Sequence, residues 1–270
     1  MLMDDFQGKR VIVTGGSDGI GRALVERFLD AGAYVATCGR SADKLYQLQV
    51  KYSNKFLHTM VVDVRKEEDC RRFIEGAVKD FGGIDILVNN AGISMRAMVE
   101  DTSLDTLRAV MDVNFWGTVY CTKFALEHIK QSQGVIVGVS SVAGYRGLPG
   151  RSGYSASKFA VNGWLEALRT ELLPSGVHVM WVCPGFTTSN IRNVALDREG
   201  RPQGESPLEE GKLMSSAECA RLITRAIGQR KRTLVMTFQG NETVWLNRLL
   251  PGLADKLVHR FFFKKGELVK

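Results

Sequence analysis

Apolar runs and amphipathic stretches alternate along almost the whole chain. Lys9-Arg10-Val11-Ile12-Val13-Thr14 reads as a buried strand ending in Gly15-Gly16. Residues 19–31 follow with helical spacing through Ile20, Leu24, Phe28 and Leu29. The alternation then repeats. Strands are predicted at 34–38, 55–63, 84–88, 134–139, 177–182 and 233–236. Helices are predicted from Ser41 as N-cap, then over 66–81, 104–131 (one long helix), 154–173 and 217–228.

Strict alternation implies right-handed crossovers and a parallel sheet covered on both faces, and the continuous Val/Ile runs agree with strands buried on both sides. The expected fold class is α/β: a doubly wound, parallel, seven-stranded sheet in a single domain, followed by C-terminal amphipathic helices. Such sheets bind ligands at the carboxyl ends of their strands.

Composition supports this picture. The 270 residues are 44% hydrophobic and 24% charged, enough for a sizeable core. Five scattered cysteines form no CxxC pair, and the four histidines show no ligand spacing, so no disulfide framework or metal site is expected. Met1 to Phe6 shows neither a basic n-region nor an apolar h-region, and no apolar run reaches bilayer-spanning length; a cytoplasmic protein is expected.

Charge is uneven. Residues 221–270 hold 11 Lys and Arg against 3 Asp and Glu, whereas residues 1–220 hold 25 against 26. No stacking platform or recognition motif accompanies the basic end, so nucleic acid is not an expected partner. Trp245, Leu246, Leu249, Leu250, Leu253, Leu257, Val258, Phe261, Phe262 and Phe263 recur there at helical spacing, interleaved with Arg248, Lys256, Arg260, Lys264 and Lys265. Two readings stay open: a basic amphipathic face in peripheral contact with an anionic membrane, or a helix pair packed on the domain or on a partner subunit.

Candidate chemistry falls at strand ends. Thr14-Gly15-Gly16-Ser17-Asp18-Gly19-Ile20-Gly21 joins the first strand to the first helix, where backbone N–H groups and the helix dipole favour a pyrophosphate. After the second strand comes Gly39-Arg40, with no acid to bind a ribose 2′-hydroxyl; Arg40 suits a 2′-phosphate instead. NADP(H) is the expected cofactor and NAD(H) the alternative. Asp18 counts against this, because its charge falls near the same phosphate.

Tyr154-Ser155-Ala156-Ser157-Lys158 places a phenol and an ammonium four residues apart, on one face if helical. A cation beside a phenol favours phenolate and brings its pKa toward neutrality, as an acid/base catalyst requires. Asn89-Asn90-Ala91-Gly92 follows the fourth strand, Ser140-Ser141 the fifth and Pro184-Gly185 the sixth. Asn114 lies in the long helix, and Ser141 precedes Tyr154 by thirteen residues.

Together with Asp63-Val64 and Pro184-Gly185-x-Thr187, these pieces resemble the short-chain dehydrogenase/reductase family over residues 8–236, in its NADP-preferring form. The resemblance implies a Rossmann-type catalytic domain over residues 1–240 and a basic extension over 241–270. It implies Tyr154 as general acid/base, Ser141 bonded to the substrate oxygen, Lys158 tuning Tyr154 and holding the nicotinamide ribose, and Asn114 anchoring a proton-carrying water. It implies cofactor contacts from Gly15, Ser17, Asp18, Gly19, Ile20, Gly21, Arg40, Asp63 (adenine), Val64, Asn90, Ala91, Gly92, Pro184, Gly185 and Thr187. Sequence does not separate Thr187 from Thr188. A homodimer or homotetramer is implied as well.

Residues 186–215, which include Arg192, Asp197 and Pro207, break the alternation and are expected to form a mobile substrate lid. Ser94, Met95, Tyr145, Leu148 and Phe186 are expected to line the substrate pocket with Ser141 and Tyr154. They lean apolar, which suggests a lipophilic ketone or secondary alcohol. Two rivals are a nucleotide-sugar epimerase or dehydratase and a non-catalytic dinucleotide sensor or membrane-associated scaffold. The intact Asn/Ser/Tyr/Lys set speaks against the sensor.

Overall fold

The predicted apolar runs form one sheet in a computed structural model, which describes residues 6–204 and 213–269. The strands are β1 (Arg10–Thr14), β2 (Tyr34–Gly39), β3 (Leu57–Val61), β4 (Ile86–Asn89), β5 (Val135–Val139), β6 (His178–Cys183) and β7 (Thr233–Val235). They run parallel in the order β3-β2-β1-β4-β5-β6-β7. The order reverses between β1 and β4, which opens a crevice at their carboxyl ends.

Successive strand residues face opposite layers. Ile12, Ala36, Leu87 and Ile136 pack beneath α3 (Glu67–Phe81), α5 (Gly117–Ser132) and α6 (Ser152–Glu171) through Phe73, Ile129 and Leu165. Val11, Val13, Val35 and Val88 meet α1 (Gly19–Asp30), α2 (Ala42–Lys51) and α7 (Ser216–Gly228) through Phe28, Leu48 and Ile223. These two-sided contacts explain why the strands read as unbroken apolar runs. Ser41 caps α2 as expected, accepting from the Lys44 amide at 3.4 Å.

Two expectations change. The long helix 104–131 is α4 (Leu104–Met111) and α5 joined through a π-helical turn at Asp112–Trp116. The wide turn carries Asn114, whose side chain is held by a neighbouring loop. A π turn leaves no mark in apolar spacing, so the pattern read as a single helix. At the far end, α8 (Phe238–Leu249) and α9 (Pro251–Phe262) form the expected helix pair. Helical spacing through Phe263 does not continue: Phe263–Lys264 and Glu267–Leu268 pair as an antiparallel hairpin, with Lys265 and Gly266 at positive φ in its turn.

The described part of the expected lid is tied to the loop after β4. Leu196 exchanges backbone hydrogen bonds with Ser94 and Arg96, and Arg198 accepts from the Ser103 amide at 2.9 Å. Pro207 and its neighbours at 205–212 lie outside the described residues, as do residues 1–5 and Lys270.

Candidate active site

Each site element sits at a strand's carboxyl end, and each is locked by local chemistry. After β1, Gly15 and Gly19 adopt φ of 69° and 52°, where a Cβ is disfavoured. A Cβ on Gly15 would also fall 2.9 Å from the Ala91 Cα. That close approach lets Asn90 clamp the turn: its Nδ2 donates to the carbonyls of Thr14 (2.9 Å) and Gly15 (3.2 Å). Thr14 Oγ1 in turn accepts from the amides of Asn90 and Ala91, both at 3.0 Å.

The objection raised by Asp18 finds a physical answer. Its carboxylate caps α1 by accepting from the Gly19 amide at 2.7 Å, and it pairs with the Lys44 ammonium. Burial pushes the carboxyl up, but Lys44 and the Gly19 amide together hold it below the usual range. Asp18 is thus an ionised cap whose charge Lys44 offsets. Ser17, Arg40, Ser41 and Lys44 line the same end of the cavity. Asp63 lines it too, held low by its Arg65 hydrogen bonds at 2.9 and 3.0 Å.

At the other end, Gly138 in β5 lets α6 approach closely; a Cβ there would meet Leu165 Cδ1 at 2.3 Å. Close packing brings Lys158 to the end of β5, where its Nζ donates to the Val139 carbonyl at 2.8 Å. The same Nζ lies 5.7 Å from the centroid of the Tyr154 ring. Tyr154 lines the same cavity as Ser141, whose Oγ accepts from the Ala143 amide at 3.1 Å. Ser140, the competing serine, is buried against Gly144 and the Cys183 thiol.

Burial pushes the Tyr154 phenol above its usual range; the Ser141 hydroxyl and the Arg151 charge pull the other way. Burial also draws Lys158 down to about 8. Besides the expected Lys158, a second cation, Arg151, acts on Tyr154 and favours its ionised form. The Lys158 ammonium is turned to a backbone carbonyl. Sequence reasoning missed Arg151. It is buried, lines the cavity three residues before Tyr154, and stacks 5.4 Å from the Phe262 ring centroid. Its own pKa falls to about 10 through burial, with Arg96 and Arg192 adding to the fall. An arginine before the Tyr/Lys pair carries no signal in apolar spacing.

The Asn114 side chain makes three hydrogen bonds within the protein. Oδ1 accepts from the Ile93 amide at 2.8 Å, while Nδ2 donates to the Ile93 carbonyl at 3.0 Å and to Ser157 Oγ at 2.9 Å. Its side chain clamps the Ile93 loop to α6, with both amide hydrogens used. Ser157, also missed, passes the connection on by donating to the Tyr154 carbonyl at 2.7 Å.

Among the remaining expected residues, Gly21, Ile20, Val64, Gly92, Ser94, Leu148, Pro184, Gly185 and Phe186 all line the cavity. Thr187 does as well, buried and hydrogen-bonded to the Gly185 carbonyl, whereas Thr188 is exposed and pairs with Met214. Two expectations fail. The Tyr145 hydroxyl accepts from Trp181 Nε1 at 2.8 Å, which fixes the ring against the core instead of the cavity. Met95 is fully buried with Ala97 and Val110.

The cavity holds about 1290 Å³. It runs from the glycine turn past Tyr154 to a wall made by α8 and α9, including Trp245, Leu249, Leu257 and Phe261. Phe186 stacks on Phe261 with centroids 6.4 Å apart, and Arg146 anchors the helix pair through Asn247 (2.8 Å) and Asp255 (2.5 Å). The C-terminal segment therefore packs on its own domain and contributes to the site.

A glycine-lined anion cradle joined to a Ser/Tyr/Lys cluster defines a dinucleotide-type site on a doubly wound sheet. A sequence model of the short chain dehydrogenase family matches residues 9–200, and the chain belongs to that family. It is 36% identical over 255 residues to "11-beta-hydroxysteroid dehydrogenase-like 4A" of Arabidopsis thaliana, covering 93% of this chain and 83% of that one. It is 33% identical to "Dehydrogenase/reductase SDR family member 7B" of Mus musculus, covering 92% and 79%. The fold matches a short chain dehydrogenase/reductase from Burkholderia phymatum solved in complex with NAD, with TM-score 0.82 and 22% identity over 92% of this chain and 96% of that chain. It also matches an alcohol dehydrogenase from the archaeon Thermococcus sibiricus complexed with 5-hydroxy-NADP, with TM-score 0.74 and 22% identity over 84% and 95%. The protein is thus an oxidoreductase of a family that uses nicotinamide dinucleotides on small molecules. Among the described residues, no helix is long and apolar enough to cross a membrane.

Proposed function

We propose that this protein is an NADP(H)-dependent oxidoreductase that interconverts a lipophilic ketone and a secondary alcohol, with Tyr154 as the acid/base. The observation that carries this reading is the convergence of Ser141, Tyr154 and buried Lys158 on one cavity that the glycine cradle and an apolar wall also line.

The residues fit the cofactor. Positive φ at Gly15 and Gly19 opens the backbone to a pyrophosphate, and Ser17, Arg40 and Lys44 gather where an adenosine 2′-phosphate would bind. Lys44 offsets Asp18, which favours NADP(H) over NAD(H). Asp63, Val64, Asn90, Ala91 and Gly92 would flank the adenosine, and Pro184, Gly185 and Thr187 the nicotinamide. The cofactor supplies the hydride.

The chain's own residues handle the proton. Ser141 accepts from the Ala143 amide and keeps its proton for the substrate oxygen. During reduction Tyr154 gives its phenolic proton to that oxygen, and the resulting phenolate faces the cations Arg151 and Lys158. In oxidation the same phenolate takes the proton back. Asn114 and Ser157 hold α6 and the Ile93 loop in register for this transfer.

The reading extends to the whole molecule: a catalytic domain over 1–240 with a substrate cap at 186–215, a basic C-terminal segment in peripheral membrane contact, and a cytoplasmic homodimer or homotetramer. The hydroxysteroid-dehydrogenase-like relative and the α8–α9 wall support an apolar substrate. The deciding experiment is Tyr154→Phe assayed across a ketone and alcohol panel. NADPH binding should be retained while turnover falls by about 100-fold or more. Unchanged turnover would remove Tyr154 from the chemistry. Tight NADPH binding without turnover in the unmodified protein would favour the sensor reading.

A further inference from the structure

The α8–α9 pair wears apolar residues on both its faces. Inward, Leu246, Ala254 and Phe262 close the cavity wall. Outward, Phe238 is 78% exposed, Leu249 66%, Trp245 59% and Leu253 46%. Trp245 and Leu249 belong to both groups: they line the cavity and face solvent. The exposed apolar patch is therefore the rim of the cavity. Large exposed apolar patches mark contact surfaces, because leaving them in water is costly.

Exposed bases flank this apolar patch on the same two helices. Arg248 precedes Leu249-Leu250, Lys256 precedes Leu257, and Arg260 precedes Phe261. Two acids lie on the same helices: Asp255 is engaged by Arg146, and Glu242 is exposed, so the bases Arg248, Lys256 and Arg260 still leave the face net positive. An isologous contact with a second copy would bring this basic patch against itself. Anionic headgroups complement it, and apolar side chains among bases are how helices lie in a membrane interface.

We propose that the α8–α9 face seats on an anionic lipid surface, so that the cavity mouth opens into the bilayer and exchanges its substrate with lipid instead of water. This rests on reading the cavity as a site for a lipophilic ketone or alcohol, and it goes further by assigning the route of entry. An apolar substrate dissolved in the bilayer would pass along Trp245 and Leu249 to Tyr154 without crossing water. Phosphatidylserine-type surfaces would raise turnover by concentrating both enzyme and substrate.

The test uses the purified full chain and vesicles of phosphatidylcholine with or without phosphatidylserine. Three proteins are compared: the unmodified chain, Leu253→Ser, and the double variant Arg248→Glu with Lys256→Glu. None of these positions lines the cavity. Flotation should require phosphatidylserine and weaken roughly 30-fold or more in the double variant, since each base near an anionic surface is worth about fivefold. NADPH oxidation is then followed with a short water-soluble ketone and with a long-chain ketone held in the vesicles. The double variant should keep its rate on the soluble ketone, which also shows that it folds, and lose its rate on the vesicle-held one. Absence of flotation by the unmodified chain overturns the proposal, as do equal vesicle-held rates for all three proteins. A drop in solution mass in Leu253→Ser without any vesicle binding would assign the patch to a second copy and also overturn it. Flotation with no turnover on either ketone would refute the reductase reading while leaving the lipid seat supported.

Discussion

The Asn114 amide donates to the Ser157 hydroxyl across 2.9 Å, linking two residues 43 positions apart. One sits in a π-helical turn and the other lies directly before Lys158. Ser157 completes the chain by donating to the Tyr154 carbonyl. The bond makes the π turn a brace of α6.

Ser157→Ala should break that brace. It leaves Asn114 Nδ2 buried with one partner fewer, at a cost of about 1–3 kcal/mol. A lower thermal midpoint and a reduced kcat are expected, with NADPH affinity nearly unchanged. Ser157→Thr should restore part of both if the hydroxyl is what matters.

Lys158 makes stability depend on pH with a definite sign. Burial draws its folded pKa down to about 8, from the ordinary lysine value of 10.5. Below about pH 8 the ammonium is charged in both folded and unfolded chains. Between about 8 and 10.5 the unfolded chain binds more protons, so stability should rise with pH by on the order of 3 kcal/mol. Chemical denaturation across that window checks it, and Lys158→Met should flatten the rise.

Arg40→Ala should weaken NADPH by about 10- to 100-fold, the worth of a charge-assisted hydrogen bond, and leave NADH within about twofold. Lys44→Ala should also weaken NADPH, because the Asp18 charge is then no longer offset. Fluorescence titration of both cofactors reads the ratio; equal losses would make Arg40 and Lys44 ordinary surface charges.

Arg151→Met removes a cation that favours the ionised form of Tyr154. Alcohol oxidation needs the phenolate, so its rate should climb only at higher pH than in the unmodified protein. An unmoved pH profile would mean that Arg151 serves packing through Phe262 alone.

Local rules made much of the fold legible. Val11 to Val13 and Ile136 to Val137 announce strands because both sheet faces are buried, and Ser41 announces a cap because its hydroxyl satisfies a helix amide. The Tyr154/Lys158 spacing places both on α6, and the glycines at 15 and 19 mark backbone that a side chain would strain. Tyr145 misled because an aromatic near Ser141 looks like pocket lining. Its hydroxyl is taken by Trp181, a partner 36 residues away that no local pattern names.

Sequence alone determined the alternating architecture, the family resemblance, the glycine cradle and the spacing that singles out Ser141, Tyr154 and Lys158. All of these are set by periodicity or by residue types at short, fixed spacing. Tertiary structure decided that Arg151 joins Lys158 beside Tyr154, that Asn114 holds the Ile93 loop to α6, that Lys44 offsets Asp18, and that the basic C-terminal helices wall the cavity. Those depend on distances between residues far apart in the chain. A charge is felt through space and desolvation, and neither quantity is written in the order of the residues.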